Sequence, residues 1–106
     1  MSVSAPRRTV TTQMARLLED VELGTPVYLG QSRVGDVRGV YAEGDARLAE
    51  YLVVHWNDRA ADLLIPTKDV ASLEAKGVVL MGEDPRVYAG MPDFDPGVHP
   101  TIRRLR

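Results

Sequence analysis

Two neighbouring β-rich segments constrain the fold more than any other part of the sequence. Residues 33–41 and 51–56 are rich in valine, tyrosine and other strand-forming residues, and the connection at 42–49 between them is mostly polar. β-branched and aromatic residues pack well on a pleated, half-buried surface. The two segments therefore predict a strand pair around which the rest of the chain is organised.

The first of these segments cannot be a flat strand. Its valines are Val34, Val37 and Val40. This spacing of three does not match a strand, in which successive side chains alternate between two faces. Gly35 and Gly39 argue against a helix, so we predict a bulge or strong bend near Gly35 and Asp36, as small barrels require. In the second segment, alternation places Leu52 and Val54 inward.

The remaining apolar runs are short and are separated by turn residues. Further strands are predicted at residues 27–29, 62–65, 70–73 and 78–81. Thr67 is expected to cap a single helical turn at 67–70 after Pro66 stops the preceding strand. Many short strands with frequent turn signals, in a chain of one-domain length, predict an all-β fold. We expect a small, partly open β-barrel of five or six strands.

The two ends of the chain differ from this central part. Residues 1–10 read as a disordered basic tail, and residues 11–81 as the barrel domain preceded by a short helix at 11–20. That helix carries an apolar stripe with helical spacing, formed by Met14, Leu17, Leu18 and Val21. Residues 82–106, named here the C-terminal arm, are rich in Gly and Pro and predict an extended arm that ends in a basic tail.

The charge of the chain is segregated between the ends and the body. All 15 acidic residues lie in residues 17–98 with 7 Lys and Arg, a net charge of −8 that opposes six arginines in the two ends. Basic ends can bind nucleic acid, or fold back on an acidic body, their own or a neighbour's. The chain contains no cysteine, and it shows neither a signal-peptide core nor a membrane span. We therefore expect a cytoplasmic protein.

The order of features between residues 24 and 81 resembles the PRC-barrel family, the small β-barrel of the photosynthetic reaction-centre H subunit and of a ribosome-maturation factor. The matching stretches are Gly24-Thr-Pro-Val-Tyr28, Val34-Gly-Asp-Val37, Tyr51-Leu-Val-Val54, Leu64-Ile-Pro66, Val70 and Gly77-Val-Val-Leu80. The sequence departs from the family at the turn 30–33, where the family often has Asp-Gly, and at both ends. The resemblance implies a non-catalytic adaptor that docks on protein, RNA or a membrane complex.

No constellation of residues predicts catalysis or a cofactor. The histidines, His55 and His99, lie far apart in the sequence, and no serine stands in a nucleophile-elbow pattern. Asp58 or Asp62 can approach His55 across a hairpin. A surface ion pair explains this arrangement better than a catalytic site does. The carboxylates near residues 83–95 lack the glycine turn and terminal Glu of a calcium loop.

We therefore expect no enzyme activity and no cofactor, but an interaction module that docks on another protein or self-associates as a homo-oligomer. Two alternatives remain open: an RNA- or ribosome-associated factor that uses the arginine tails, and a small-ligand or metal-binding barrel around His55 and Trp56. The N-terminal stripe and the C-terminal arm would supply contacts. The candidate interaction residues are Arg38, Tyr41, Tyr51, His55, Trp56, Tyr88, Met91 and Phe94.

Overall fold

The fold is a single curved sheet, seen in a computed structural model that describes residues 16–45, 48–82, 84–98 and 101–106. Its strands are β1 (Pro26–Leu29), β2 (Ser32–Glu43), β3 (Tyr51–Trp56), β4 (Ala61–Pro66), β5 (Val70–Glu74), β6 (Gly77–Leu80) and β7 (Ile102–Arg104). The predicted tail 1–10, Met14 of the apolar stripe and His99 lie outside the described residues.

The strands follow one another across the sheet in the order β4-β3-β2-β1-β6-β5, and β7 pairs separately with β2. Only β1 and β6 are parallel among the described strands; the other pairs are antiparallel. The short 3-10 turn Thr67–Asp69 joins the two outermost strands, β4 and β5. The sheet does not close, which confirms the predicted all-β, partly open barrel. It has seven strands because the C-terminus adds one.

Two bulges bend β2 and explain its valine spacing. The register with β1 shifts opposite Val34, and the register with β3 shifts between Val37 and Gly39, which leaves Arg38 as the extra residue. This second bulge allows both Val37 and Val40 to point inward, and both are fully buried. The bend was predicted at Gly35 and Asp36; the structure places one bulge just before these residues and another just after them.

The core lies on the concave side of the sheet. Leu52 and Val54 of β3 point inward as predicted, and Trp56 joins them with 2 % of its surface exposed. The core contains no buried polar or charged residue among the described ones. Residues 16–19 are helical, and Leu18 and Val21 of the apolar stripe complete the core at one end.

Two local predictions were wrong. Thr67 does not cap the turn Thr67–Asp69: Pro66 occupies the N-cap position, and the Thr67 hydroxyl instead donates to the Ala49 carbonyl at 2.9 Å. The C-terminal residues are not a tail, because Ile102–Arg104 form β7 along the end of β2. Between β6 and β7, the C-terminal arm contains a four-residue helix, Arg86–Ala89, and a 3-10 turn, Pro96–Val98.

Candidate interaction surface

Strand β3 separates the core from the surface on which most of the candidate residues lie. Because its side chains alternate, Tyr51, Val53 and His55 lie on the face opposite the core. The register of β2 and β3 places Tyr41 beside Tyr51, and Asp36 beside His55. We call this side of β2, β3 and β4 the outer face.

An aromatic pair covers the middle of the outer face. The rings of Tyr41 and Phe94 meet edge to face with centroids 5.5 Å apart, an arrangement that the charge distribution of aromatic rings favours. The Tyr41 ring also lies over Gly39, where a Cβ atom would come within 2.8 Å of it. Gly39 pairs with Val53. This cover accounts for the burial of Val53, which is 4 % exposed although it points away from the core.

A row of polar side chains crosses the outer face beside these rings. Arg38 pairs with Asp36 at 3.0 Å, Asp36 lies opposite His55 in the register, and His55 Nδ1 lies 3.0 Å from Asp62 Oδ1. A carboxylate only accepts hydrogen bonds, so Nδ1 carries the proton in this contact. The His55 and Asp62 side chains are 30 % and 45 % exposed. The row thus combines one ion pair, Arg38–Asp36, with the His55–Asp62 hydrogen bond, and the His55–Asp62 contact was anticipated.

The C-terminal arm is attached to the barrel beside this row. The Phe94 amide donates to the Asp62 carbonyl at 2.7 Å, on the outer edge of β4. Arg59 donates through one terminal nitrogen to the Met91 carbonyl and through the other to Asp93, at 2.6 Å for the carboxylate. Sequence reasoning missed Arg59 and Asp93, because no pattern links a turn residue to a carboxylate more than thirty positions later.

Arginines gather where β7 meets β2. Arg104 donates to the Arg38 carbonyl at 3.0 Å, and its guanidinium lies 5.9 Å from the centre of the Tyr41 ring, within cation–π range. Arg103 donates to the Gly44 carbonyl at 3.1 Å. The C-terminal arginines thus fold back on the chain's own body, one of the two alternatives that their charge left open.

An acidic group lies at the same end of the sheet. Glu50 accepts a hydrogen bond from the Glu43 amide at 3.0 Å, and the Tyr51 hydroxyl lies 3.4 Å from Glu43. The Thr101 hydroxyl also donates to Glu43. Partial burial, followed by the negative charge of Glu43, raises the pKa of Tyr51. Tyr51 therefore remains a neutral hydrogen-bond donor on this surface well beyond neutral pH.

The structure divides the eight candidate interaction residues into two groups. Five of them share the outer face or its rim: Arg38, Tyr41, Tyr51, His55 and Phe94. The others pack inward: Tyr88, 4 % exposed, lies 5.2 Å from the Trp56 ring between centroids, and Met91 packs against the core beside them. Trp56 and Tyr88 are therefore core residues, because the arm folds back and packs Tyr88 on Trp56 of its own barrel.

This arrangement also separates the two residues of the proposed ligand-binding barrel. His55 and Trp56 are adjacent in β3 and point to opposite faces of the sheet. They cannot line one site. Within the described ranges, no three His, Cys, Asp or Glu side chains are grouped closely enough to hold a metal ion. Among the same residues, no helix combines the length and the hydropathy needed to cross a membrane.

Exposed apolar side chains identify a second feature of the surface, which sequence reasoning saw only in part. The large ones among the described residues are Leu17, Leu23, Met81, Val87 and Val98, each about half or more exposed. All five lie outside the seven strands. Of these, only Leu17 belonged to the predicted stripe; the others follow no apolar periodicity that would single them out.

Comparison with known proteins finds no matching family model, no significantly similar curated protein and no significantly similar solved structure.

Proposed function

We propose that this protein is a non-catalytic, cytoplasmic interaction module of the PRC-barrel type that self-associates through the segments flanking its barrel. One observation carries the proposal: every large exposed apolar side chain of the described residues lies in those flanking segments, at Leu17 and Leu23 before β1 and at three positions after β6. Exposed apolar side chains mark a site of association where they gather in one patch, as self-association through these segments requires.

The barrel itself gives no reason for this exposure. Its strands direct their large apolar side chains into the core, and the described residues include no buried side-chain polar atom without a partner. A barrel whose core is closely packed and whose buried polar atoms have partners needs no further apolar surface for its own stability. The apolar residues of the flanks are then best explained by contacts outside the monomer, since burying the exposed half of each side chain contributes about 1 kcal/mol.

The test is the solution mass by light scattering, over a range of concentrations, of the wild type and of a variant carrying Leu17→Ser, Leu23→Ser and Val87→Ser. We expect the wild type to be an oligomer and the variant to dissociate at least tenfold more readily, because three apolar contacts are lost. Ala71→Ser, at an exposed position in β5, is the control and should not change the mass. A wild type that stays monomeric throughout would contradict self-association and point to a foreign protein partner.

A second function is favoured by the arginines around β7. Arg104 lies over the Tyr41 ring, which meets Phe94, and Arg103 follows the end of β2 beside it, a combination that provides phosphate contacts and stacking for single-stranded RNA. Binding of an RNA oligomer should weaken steeply with salt, and Arg103→Ser with Arg104→Ser should reduce the salt slope by about two charges. Lys76→Ser, whose ammonium lies over Tyr28, is the control for loss of a positive charge elsewhere. No salt-dependent RNA binding would eliminate this function.

A further inference from the structure

The C-terminal arm is bound to the barrel as a string of separate contacts. Tyr88 packs on Trp56, Asp93 pairs with Arg59, and Phe94 is held by the Asp62 carbonyl and the Tyr41 ring. Strand β7 then follows the end of β2. These contacts lie at different places on the barrel. Together they form one continuous binding surface for the arm, which we call the track.

The link between the barrel and the arm is short, and its first two residues, Met81 and Gly82, are open to solvent. Strand β6 ends at Leu80 and the helix of the arm begins at Arg86. Between them Met81 is 55 % exposed, and Gly82 has a φ of 83° with open space around it. Changing the direction of the chain at Gly82 would release the arm without altering β1 to β6, because glycine accepts both signs of φ.

A second copy of the chain is the partner that fits the vacated track. Burial of Tyr88 against Trp56 is too favourable to give up to solvent, and an identical arm restores that contact together with the Arg59 and Asp62 contacts. Exchange of identical elements is a low-cost route to dimers, since it reuses contacts that the monomer already has.

We infer that two copies of this protein associate by exchanging their C-terminal arms, each arm lying on the partner's barrel. The inference rests on the proposed self-association and adds its mechanism. In the exchanged dimer, the ion pair of Arg59 with Asp93 forms between the two chains.

Complementary charge reversal at this ion pair tests the inference. In Arg59→Glu and in Asp93→Arg, the arm meets a like charge when it binds its own barrel or that of an identical copy. When the two variants are mixed in urea and refolded together, an exchanged heterodimer contains one native and one reversed ion pair. We expect the heterodimer share in native mass spectrometry to rise from the statistical half to about nine-tenths, given the usual strength of surface ion pairs.

Two controls are available within the chain. Asp84 and Arg86 also form an ion pair, at 2.9 Å, but both residues belong to the arm and move together. Mixing Asp84→Arg with Arg86→Glu should therefore leave the heterodimer share at the statistical value. The double variant Arg59→Glu/Asp93→Arg restores the pair within one chain, and its urea midpoint should match that of the wild type, which shows that the reversed residues permit folding.

The outcomes separate the mechanism from the function on which it rests. Enrichment of the heterodimer for the Arg59 and Asp93 variants, without enrichment for the Asp84 and Arg86 variants, supports arm exchange. An oligomeric wild type with a statistical mixture in both experiments overturns arm exchange and leaves self-association through another surface. A monomeric wild type together with purely monomeric mixtures overturns both.

Discussion

The six-stranded body, β1 to β6, and the C-terminal arm are held in place by different means. The body depends on register, alternation and close backbone approach: a Cβ atom on Gly35 would lie 1.9 Å from the His55 carbonyl oxygen, and one on Gly77 would lie 2.2 Å from that of Pro26. Between β6 and β7 the arm depends on individual side chains, above all Tyr88, Arg59 and Phe94, whereas its end, β7, is held by strand pairing. The two regions should therefore respond differently to substitution.

This difference separates a part of the chain that is rigid, the body, from a part that can open locally, the arm. A sheet whose strands approach to backbone contact tolerates no displacement, because protein interiors are close-packed. An arm held by separated contacts can open at a free-energy cost below that of global unfolding. The body thus provides a fixed surface, whereas the arm is the part that the proposed exchange would move.

The largest effect is expected from adding one methyl group to the body. Gly35→Ala places a Cβ atom against the His55 carbonyl, a backbone atom that cannot move without disrupting the pairing of β2 and β3. We expect the free energy of unfolding to fall by about 3 kcal/mol or more. Urea denaturation measures this change, followed by circular dichroism.

The matched control for this substitution lies in the arm. Gly90 has an ordinary negative φ, −90°, and a Cβ atom added there would meet open space within 4 Å. Gly90→Ala should change stability by no more than about 0.5 kcal/mol. Equal effects at Gly35 and Gly90 would contradict the distinction between a rigid body and a loosely attached arm.

Truncation of Tyr88 is expected to have the next largest effect and to act on the arm alone. Tyr88→Ala removes the ring that covers Trp56, and we expect it to cost about 2 kcal/mol, limited by local release of the arm. Because Trp56 is the only tryptophan, its fluorescence should shift to the red while the far-ultraviolet signal of the sheet is kept.

Leu80→Ala is the counterpart in the body. Leu80 is 1 % exposed in β6, and its truncation should cost about 3 kcal/mol. The unfolding transitions of the Leu80→Ala variant, followed by fluorescence and by circular dichroism, should coincide, since the body unfolds as a unit. A Tyr88→Ala protein in which both signals are lost together would show that the arm is an inseparable part of the barrel.

The body was largely predictable from the sequence because its physical determinants are local. Strand β3 was predicted with the observed bounds, since six consecutive strand-forming residues alternate between core and surface. The valine spacing in β2 also indicated a bulge, because only an extra residue reconciles a spacing of three with inward positions at Val37 and Val40. The exact bulge residue, Arg38, depends on pairing with β3, which the sequence of one strand does not contain.

The arm and the outer face were predictable only in part. Tyr41, Tyr51 and His55 lie on the outer face because alternation in β2 and β3 decides their direction, whereas Arg38 lies in a bulge and Phe94 in the arm. The contact between Tyr88 and Trp56 and the strand β7 were missed, because both depend on contacts between residues far apart in the sequence. Ile102–Arg104 contain too few apolar residues to predict a strand; pairing with β2 decides the conformation.

The smallest expected effect concerns the pH dependence of the contact between arm and body. Burial, followed by the negative charge and hydrogen bond of Asp69, raises the pKa of Tyr88. A raised pKa in the folded state means that the folded protein retains a proton that the unfolded chain releases above about pH 10. The contribution to stability is therefore complete below that pH and is lost as the pH rises through the folded-state pKa.

Tyr88→Phe isolates this contribution, because it keeps the ring and removes the ionisable hydroxyl. The wild type should be more stable than Tyr88→Phe at about pH 8, and the difference should shrink or reverse by about pH 11. Tyr51→Phe is the control on the body: the pKa of Tyr51 is also raised, but its ring does not join the arm to Trp56. Only Tyr88→Phe should therefore change how the Trp56 fluorescence responds to alkaline pH, and an identical response in both variants would mean that the arm contact does not depend on the Tyr88 hydroxyl.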